Sequence, residues 1–254
     1  MTGRPLNLVT YLGASTTPIA SELSAAVSAV SGLDVRFDAD ADWETRRAAL
    51  ERGDAHILWA CGLLTVERLA AGTLDAEIVA APVFAGEHEP VYRSVIVARR
   101  TLGVTSLEGL AGSRLAINET SSWSGHHALR AHLAALGRSG PFFVSVTTTG
   151  GHDASVDALL EGSADVAAID HTIWDDRRSR DRRVDDELVV ADRTRDWPAP
   201  PFSVSRALPP EVRDALAEAL VGARPRGLAA IMAATSAEYD PIREGRAVSE
   251  AVGW

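Results

Sequence analysis

The chain has 254 residues, enough for one large domain or two smaller ones with a proper core. Its formal net charge of −10 makes nucleic acid and anionic membrane surfaces poor partners by bulk electrostatics. Every basic residue other than His is Arg, and the lack of lysine excludes Schiff-base chemistry and covalent pyridoxal phosphate.

Cys61 is the only cysteine, which excludes an internal disulfide and a cysteine-rich metal site. No segment has the length and apolarity of a transmembrane span, so no membrane insertion is expected. Residues 1–10 lack the apolar run and cleavage site of a secretory signal. The expected location is therefore cytoplasmic, or extracytoplasmic if a signal has been trimmed away.

In chain order, residues 6–12 read as a strand that ends at a turn where Thr17 can cap and Pro18 can open a helix. A second strand spans 33–37, a helix runs from Trp43 to about Arg52, and a third strand spans 55–59. This β-α-β-α-β order implies a parallel sheet with helices on its faces. Ligands bind such sheets beyond the carboxyl ends of the strands, which brings Tyr11 and Trp59 forward as cleft-wall candidates. Core packing is the competing reading for them and for Cys61.

Further strands are expected at 78–84 and 91–98, with Tyr92 in the second, and the chain is expected to change lobes near Ala98. The second lobe repeats the logic of the first. Strands at 115–117, 142–147 and 165–169 each lead into a helix start. Ala48-Ala-Leu-Glu-Arg-Gly-Asp-Ala-His-Ile-Leu58 echoes Ala158-Leu-Leu-Glu-Gly-Ser-Ala-Asp-Val-Ala-Ala168, both reading as helix, tight turn and buried strand. The charge run 175–187 reads as a solvated surface. Residues 197–202, with three prolines, read as a stiff linker back to the first lobe. Helices are expected from Pro210 to about Val221 and over 226–235, followed by a short tail.

The most informative stretch is Asn118-Glu-Thr-Ser-Ser-Trp-Ser-Gly-His-His127, between the short strand at 115–117 and a helix over 128–136. It places Thr120, Ser122, Ser124 and Gly125 at a helix start. Unpaired N–H groups and a partial positive charge there stabilise an anion. Ordinary N-capping by Ser or Thr is the competing reading.

Taken in order, several segments resemble the phosphate, phosphite and phosphonate-binding proteins of ABC importers. They are Tyr92-Arg-Ser-Val-Ile-Val, Ser106-Leu-Glu-Gly-Leu-Ala-Gly-Ser-Arg-Leu-Ala-Ile-Asn-Glu, Ser122-Trp-Ser-Gly, Thr149-Gly-Gly-His-Asp-Ala-Ser and Ala164-Asp-Val-Ala-Ala-Ile-Asp. The resemblance implies an α/β, two-lobed, hinge-bending fold of the periplasmic-binding-protein kind. Each lobe would be a mainly parallel sheet flanked by helices, with a small oxyanion in the cleft. Lobe 1 is expected to comprise residues 1–97 and 198–254, and lobe 2 residues 98–197. The resemblance assigns the anion to Ser122, Ser124 and Gly125, matches His152 and Asp170 to family positions, and matches Tyr11 more loosely. With Trp59, Tyr92, Thr120 and His126 these form the candidate ligand-binding set. No cofactor and no metal is implied, and an ABC permease is the macromolecular partner the family would bring.

Two functions follow from different classes. The first is a solute-binding or cytoplasmic sensor protein for a phosphonate, phosphate or phosphate ester. The second is a cytoplasmic enzyme on the same fold, chorismate-dehydratase-like or pyrimidine-precursor-like, acting on a small anionic metabolite. A Ser-His-Asp hydrolase can be written from Ser122, His152 and Asp170, but the chain has no Gly-x-Ser-x-Gly elbow to expose the nucleophile.

Overall fold

A computed structural model describes residues 4–253. The outermost residues assigned to lobe 1, 1–3 and 254, lie outside the described residues. Two compact units are present. One runs to Val91 and resumes over Pro198–Asp240; the other comprises Tyr92–Trp197 and continues from Pro241.

In the first unit β1 (Leu6–Tyr11), α1 (Thr17–Ser31), β2 (Val35–Phe37), α2 (Trp43–Glu51), β3 (Ile57–Ala60), α3 (Gly62–Ala70) and β4 (Ala76–Phe84) follow one another. Leu23 and Val27 of α1 are fully buried, four residues apart on one helical face. Gly32 ends α1 at φ 69°, a left-handed conformation open to glycine, and its N–H donates to the Ser28 carbonyl at 2.9 Å. β3 is buried along its whole length, as a central strand covered on both faces requires.

The chain then makes β5 (Val91–Tyr92) and enters the second unit with β6 (Ser94–Arg99), β7 (Arg114–Ile117), a turn of π-helix (Trp123–His127), α4 (Ala128–Ala135), β8 (Ser145–Thr148), α5 (His152–Glu161), β9 (Val166–Asp170), α6 (His171–Arg180), α7 (Arg183–Glu187) and β10 (Leu188–Arg193). β11 (Trp197–Pro198) pairs with β5 where the chain passes between units. The first unit is completed by β12 (Phe202–Ser205), α8 (Pro210–Gly222) and β13 (Leu228–Ala233); α9 (Asp240–Glu250) belongs almost wholly to the second.

The first sheet has the order β13-β4-β12-β3-β1-β2 and the second β10-β6-β9-β7-β8. The parallel cores β2-β1-β3 and β8-β7-β9 match the β-α-β reading. Both sheets are nevertheless mixed, because β4, β12 and β13 in one and β6 and β10 in the other run antiparallel to their neighbours.

Several expectations are corrected. Residues 197–202 do return the chain to the first unit, but they are not plain linker at either end: Trp197–Pro198 pair as β11, and β12 begins at Phe202 and fills the middle of the first sheet, pairing with both β3 and β4. Within residues 226–235, Leu228–Ala233 form strand β13, not a helix. A short apolar run serves either conformation, and the free edge of β4 decides it by supplying a ladder. The C-terminal tail is helix α9. The run 91–98 splits at Arg93, because β5 pairs with β11 whereas β6 pairs with β9 and β10. Phe142 and Phe143 precede β8 and meet edge to face, ring centroids 4.9 Å apart, in the second unit's core.

The unit boundaries shift accordingly. β6 lies inside the second sheet, which moves the first passage to Val91/Tyr92, and α9 moves with it to the second unit. The charge run is also more than a solvated face. Arg177 is only 8% exposed and reaches Asp157 at 2.5 Å, Asp181 at 3.2 Å and Asp153 at 3.4 Å, binding α6 to α5. A buried guanidinium requires such partners, because desolvating it unpaired costs far more than one hydrogen bond returns.

Candidate functional site

Parallel pairing puts the carboxyl ends of β7, β8 and β9 at one edge of the second sheet. Ile117 lies opposite Thr148, and Asp170 lies opposite Ser94 at the start of antiparallel β6. Beyond those ends the π-turn leading into α4, α5 and α6 each begin, so three helix starts, whose first N–H groups lack intrahelical partners, share that edge.

The π-turn is held by its own side chains. Ser122 caps it, its Oγ accepting from the Gly125 N–H at 3.1 Å. Ser94 Oγ donates to the Ser124 carbonyl at 2.7 Å, which ties the turn to β6. The His127 N–H closes the wide winding on the Ser122 carbonyl at 3.1 Å. Such π-turns occur often at functional positions.

Three polar side chains converge on the turn. Ser124 Oγ lies 3.1 Å from His152 Nε2, and Asn118 Nδ2 lies 3.3 Å from the same nitrogen. Asn118 Oδ1 is buried without a hydrogen-bond partner among the described residues, a costly condition that marks the cluster out. Gly125 makes the convergence possible. A Cβ there would overlap the Asn118 carboxamide and stand 3.0 Å from His152 Cε1. Burial holds His152 below its ordinary pKa, with the negative charges of Asp170 and Asp153 opposing. The ring is therefore neutral near pH 7 and offers one donor and one acceptor.

The other sequence candidates are placed differently. Thr120 is exposed, and its carbonyl takes His126 Nδ1 at 2.6 Å and His127 Nε2 at 2.9 Å, which commits that face of His126 to the backbone. Asp170 caps α6, its Oδ1 accepting from Thr172 N–H at 2.9 Å and Thr172 Oγ1 at 2.8 Å. No carboxylate bonds His152 Nδ1 among the described residues, so a Ser-His-Asp relay lacks its second link. Tyr92 is buried in the second unit. In the first unit Trp59 is fully buried, donates Nε1–H to the Pro200 carbonyl at 3.1 Å and packs on Phe202. Tyr11 is half-buried and stacked on Trp43, ring centroids 3.8 Å apart. Cys61 is half-buried and accepts at its carbonyl from Thr65 Oγ1, as a structural helix start does.

Two members of the cluster were missing from the candidate set. Asn118 had a signal, as a polar residue directly after a buried strand. Ser94 had none, because its role depends on the register of β6 against β9, 76 positions along the chain.

Comparison with known proteins identifies the family and the fold. A profile described as "ABC transporter, phosphonate, periplasmic substrate-binding protein" matches residues 10–253. The binding-protein component of a phosphonate ABC transporter from Pseudomonas aeruginosa superposes with a TM-score of 0.81 at 17% identity, over 97% of this chain and 86% of that one. A Prochlorococcus marinus protein solved with methylphosphonate gives 0.81 at 16% identity, over 98% and 99%. A Xanthomonas citri protein solved with ATP gives 0.72 at 18% identity, over 96% and 97%. At these identities the superpositions establish the fold, and the profile establishes the family. The chain belongs to the phosphonate-binding family of substrate-binding proteins of ABC transporters, with their two-lobed α/β fold.

Proposed function

We propose that the edge formed by the π-turn and the starts of α5 and α6 binds the oxyanion of a small phosphonate or phosphate-type ligand. The observation that carries this reading is the convergence of Ser124, His152 and Asn118 around Gly125, with the buried Asn118 carboxamide oxygen left unpartnered among the described residues. Neutral donors and helix N–H groups suit an anion, because they stabilise its charge without a buried cation that must itself be desolvated. Ser124 Oγ, the turn N–H groups and His152 are the proposed anion contacts. Asp170 is a proposed contact to the rest of the ligand. Methylphosphonate, bound by the Prochlorococcus relative, is the first probe.

Family membership supports an ABC permease as the macromolecular partner. Calorimetric titration of the full chain with methylphosphonate and inorganic phosphate tests the binding reading. Saturable one-to-one binding of either is expected, and no heat and no thermal shift with either would overturn it. Fractionation of the native host tests the partner: family membership favours recovery outside the cytoplasmic membrane over the cytoplasmic location expected from residues 1–10. Recovery in the cytoplasm would replace the importer role with that of a ligand sensor.

A further inference from the structure

The two adjacent histidines share one backbone acceptor. His126 Nδ1 and His127 Nε2 both reach the Thr120 carbonyl, at 2.6 Å and 2.9 Å. One carbonyl oxygen has two lone pairs, so it accepts both N–H groups when each ring is neutral and protonated on that nitrogen. The rings lie 4.3 Å apart, both histidines are buried, and Thr120 stands two residues before the Ser122 cap.

Behind them lies α9. With Nε2–H given to Thr120, Nδ1 of neutral His127 is an acceptor, and Ser249 Oγ lies 2.9 Å from it. That hydroxyl is also 2.7 Å from the Arg246 carbonyl, and its single proton serves one of the two at a time. Trp123, fully buried inside the π-turn, packs on Gly245 of α9, where a Cβ would come within 2.6 Å of the ring. Arg130 Nε, one turn further along, donates to the Val252 carbonyl at 3.0 Å. Three ties from residues 123–130 therefore end on the last turns of the chain, more than a hundred positions away in sequence.

We propose that His126 and His127 are positioning residues. They hold the Thr120 carbonyl so that the turn presents Ser124 and its N–H groups to the anion, and α9 braces them through Ser249. The inference rests on the reading of this turn as the anion site. A peptide turn bounded by the exposed Thr120 and Ser121 has few local restraints, and each ring replaces one that water would otherwise provide.

Three variants of the full chain test it: His127→Leu, which removes the donor; His127→Gln, which keeps an N–H; and Ser249→Ala, which removes only the brace. Hydrogen exchange of the peptide covering 120–127 and calorimetry with methylphosphonate are the two readouts. His127→Leu should speed exchange in that peptide without speeding it in β6 or β9, and weaken methylphosphonate roughly tenfold, the loss of one well-placed hydrogen bond. His127→Gln should restore most of both. Ser249→Ala should shift both in the same direction by less, which keeps the test open if His127→Leu fails to fold. Wild-type exchange in 120–127 for Ser249→Ala, or for a folded His127→Leu, would overturn the inference. If the unsubstituted chain binds neither methylphosphonate nor phosphate, the anion-site reading fails by itself, and the exchange data still report on positioning.

Discussion

Ser124 Oγ and His152 Nε2 stand 3.1 Å apart, joining a helix start after β7 to the one after β8. Among the described residues neither side chain is hydrogen-bonded to a carboxylate, and a glycine lets Asn118 and the imidazole close over the turn.

Ser124→Ala should weaken methylphosphonate by about 1–3 kcal/mol, the usual loss for one hydrogen bond to a charged group. Asn118 Nδ2 remains within reach of His152 in the variant, so unliganded stability should fall by only about 0.5–1.5 kcal/mol. Calorimetry and thermal melts of the same samples separate the two. Unchanged affinity would reduce the turn to an ordinary helix cap.

Gly125→Ala should do more damage than its size suggests. The methyl group would occupy the place of the Asn118 carboxamide and press on His152, so the turn must open or the carboxamide must leave. Binding should fall below detection, and melting temperature should drop as overpacking costs about 1–3 kcal/mol. A variant that melts and binds like the parent would show that the turn adapts freely.

The buried histidines set an acid limit. Burial, then the charges of His126 and Arg246, pull His127 from 6.5 to about 3, and burial also lowers His126 and His152. Each group binds fewer protons folded than unfolded, so stability rises with pH across the interval between the two pKa values. For His127 the contribution is complete above about pH 6.5 and is lost as pH falls towards 3. Denaturant melts across that range should show the decline, and His127→Gln should flatten part of it. A slope unchanged by His127→Gln would contradict a buried neutral imidazole.

Arg177→Met should destabilise the second unit by about 1–3 kcal/mol. That is less than the 3–5 typical of a fully buried pair, because Asp153 and Asp157 are 40% and 47% exposed and can regain water. Chemical denaturation measures it. A neutral result would mean that packing of the methionine replaces everything the ion pairs supply.

Much of the architecture was legible without coordinates. The β-α-β order of residues 6–60 and the strand-to-helix passages after Ile117 and before His152 follow from local periodicity, capping residues and turns, all set within a few residues. The repeat at Ala48 and Ala158 is one such signal, since Gly53 and Gly162 both take left-handed φ, 74° and 76°, between helix and strand. Ser124 and Gly125 could be nominated because a helix start and its polar run are contiguous in sequence, and His152 because its segment resembles that of the family.

What sequence could not decide was everything fixed by partners far along the chain. Leu228–Ala233 became a strand because β4 had an edge to fill, and Phe202–Ser205 became a central strand between β3 and β4. Arg177 turned from a surface charge into a buried hub once α6 packed on α5. The contact of His127 with Ser249 was invisible in the sequence, because it spans 122 positions. The physical reason is the same throughout. Local propensities differ by fractions of a kcal/mol per residue, whereas a completed ladder, a satisfied buried charge or a filled core position is worth whole ones, so tertiary partners decide wherever the two compete.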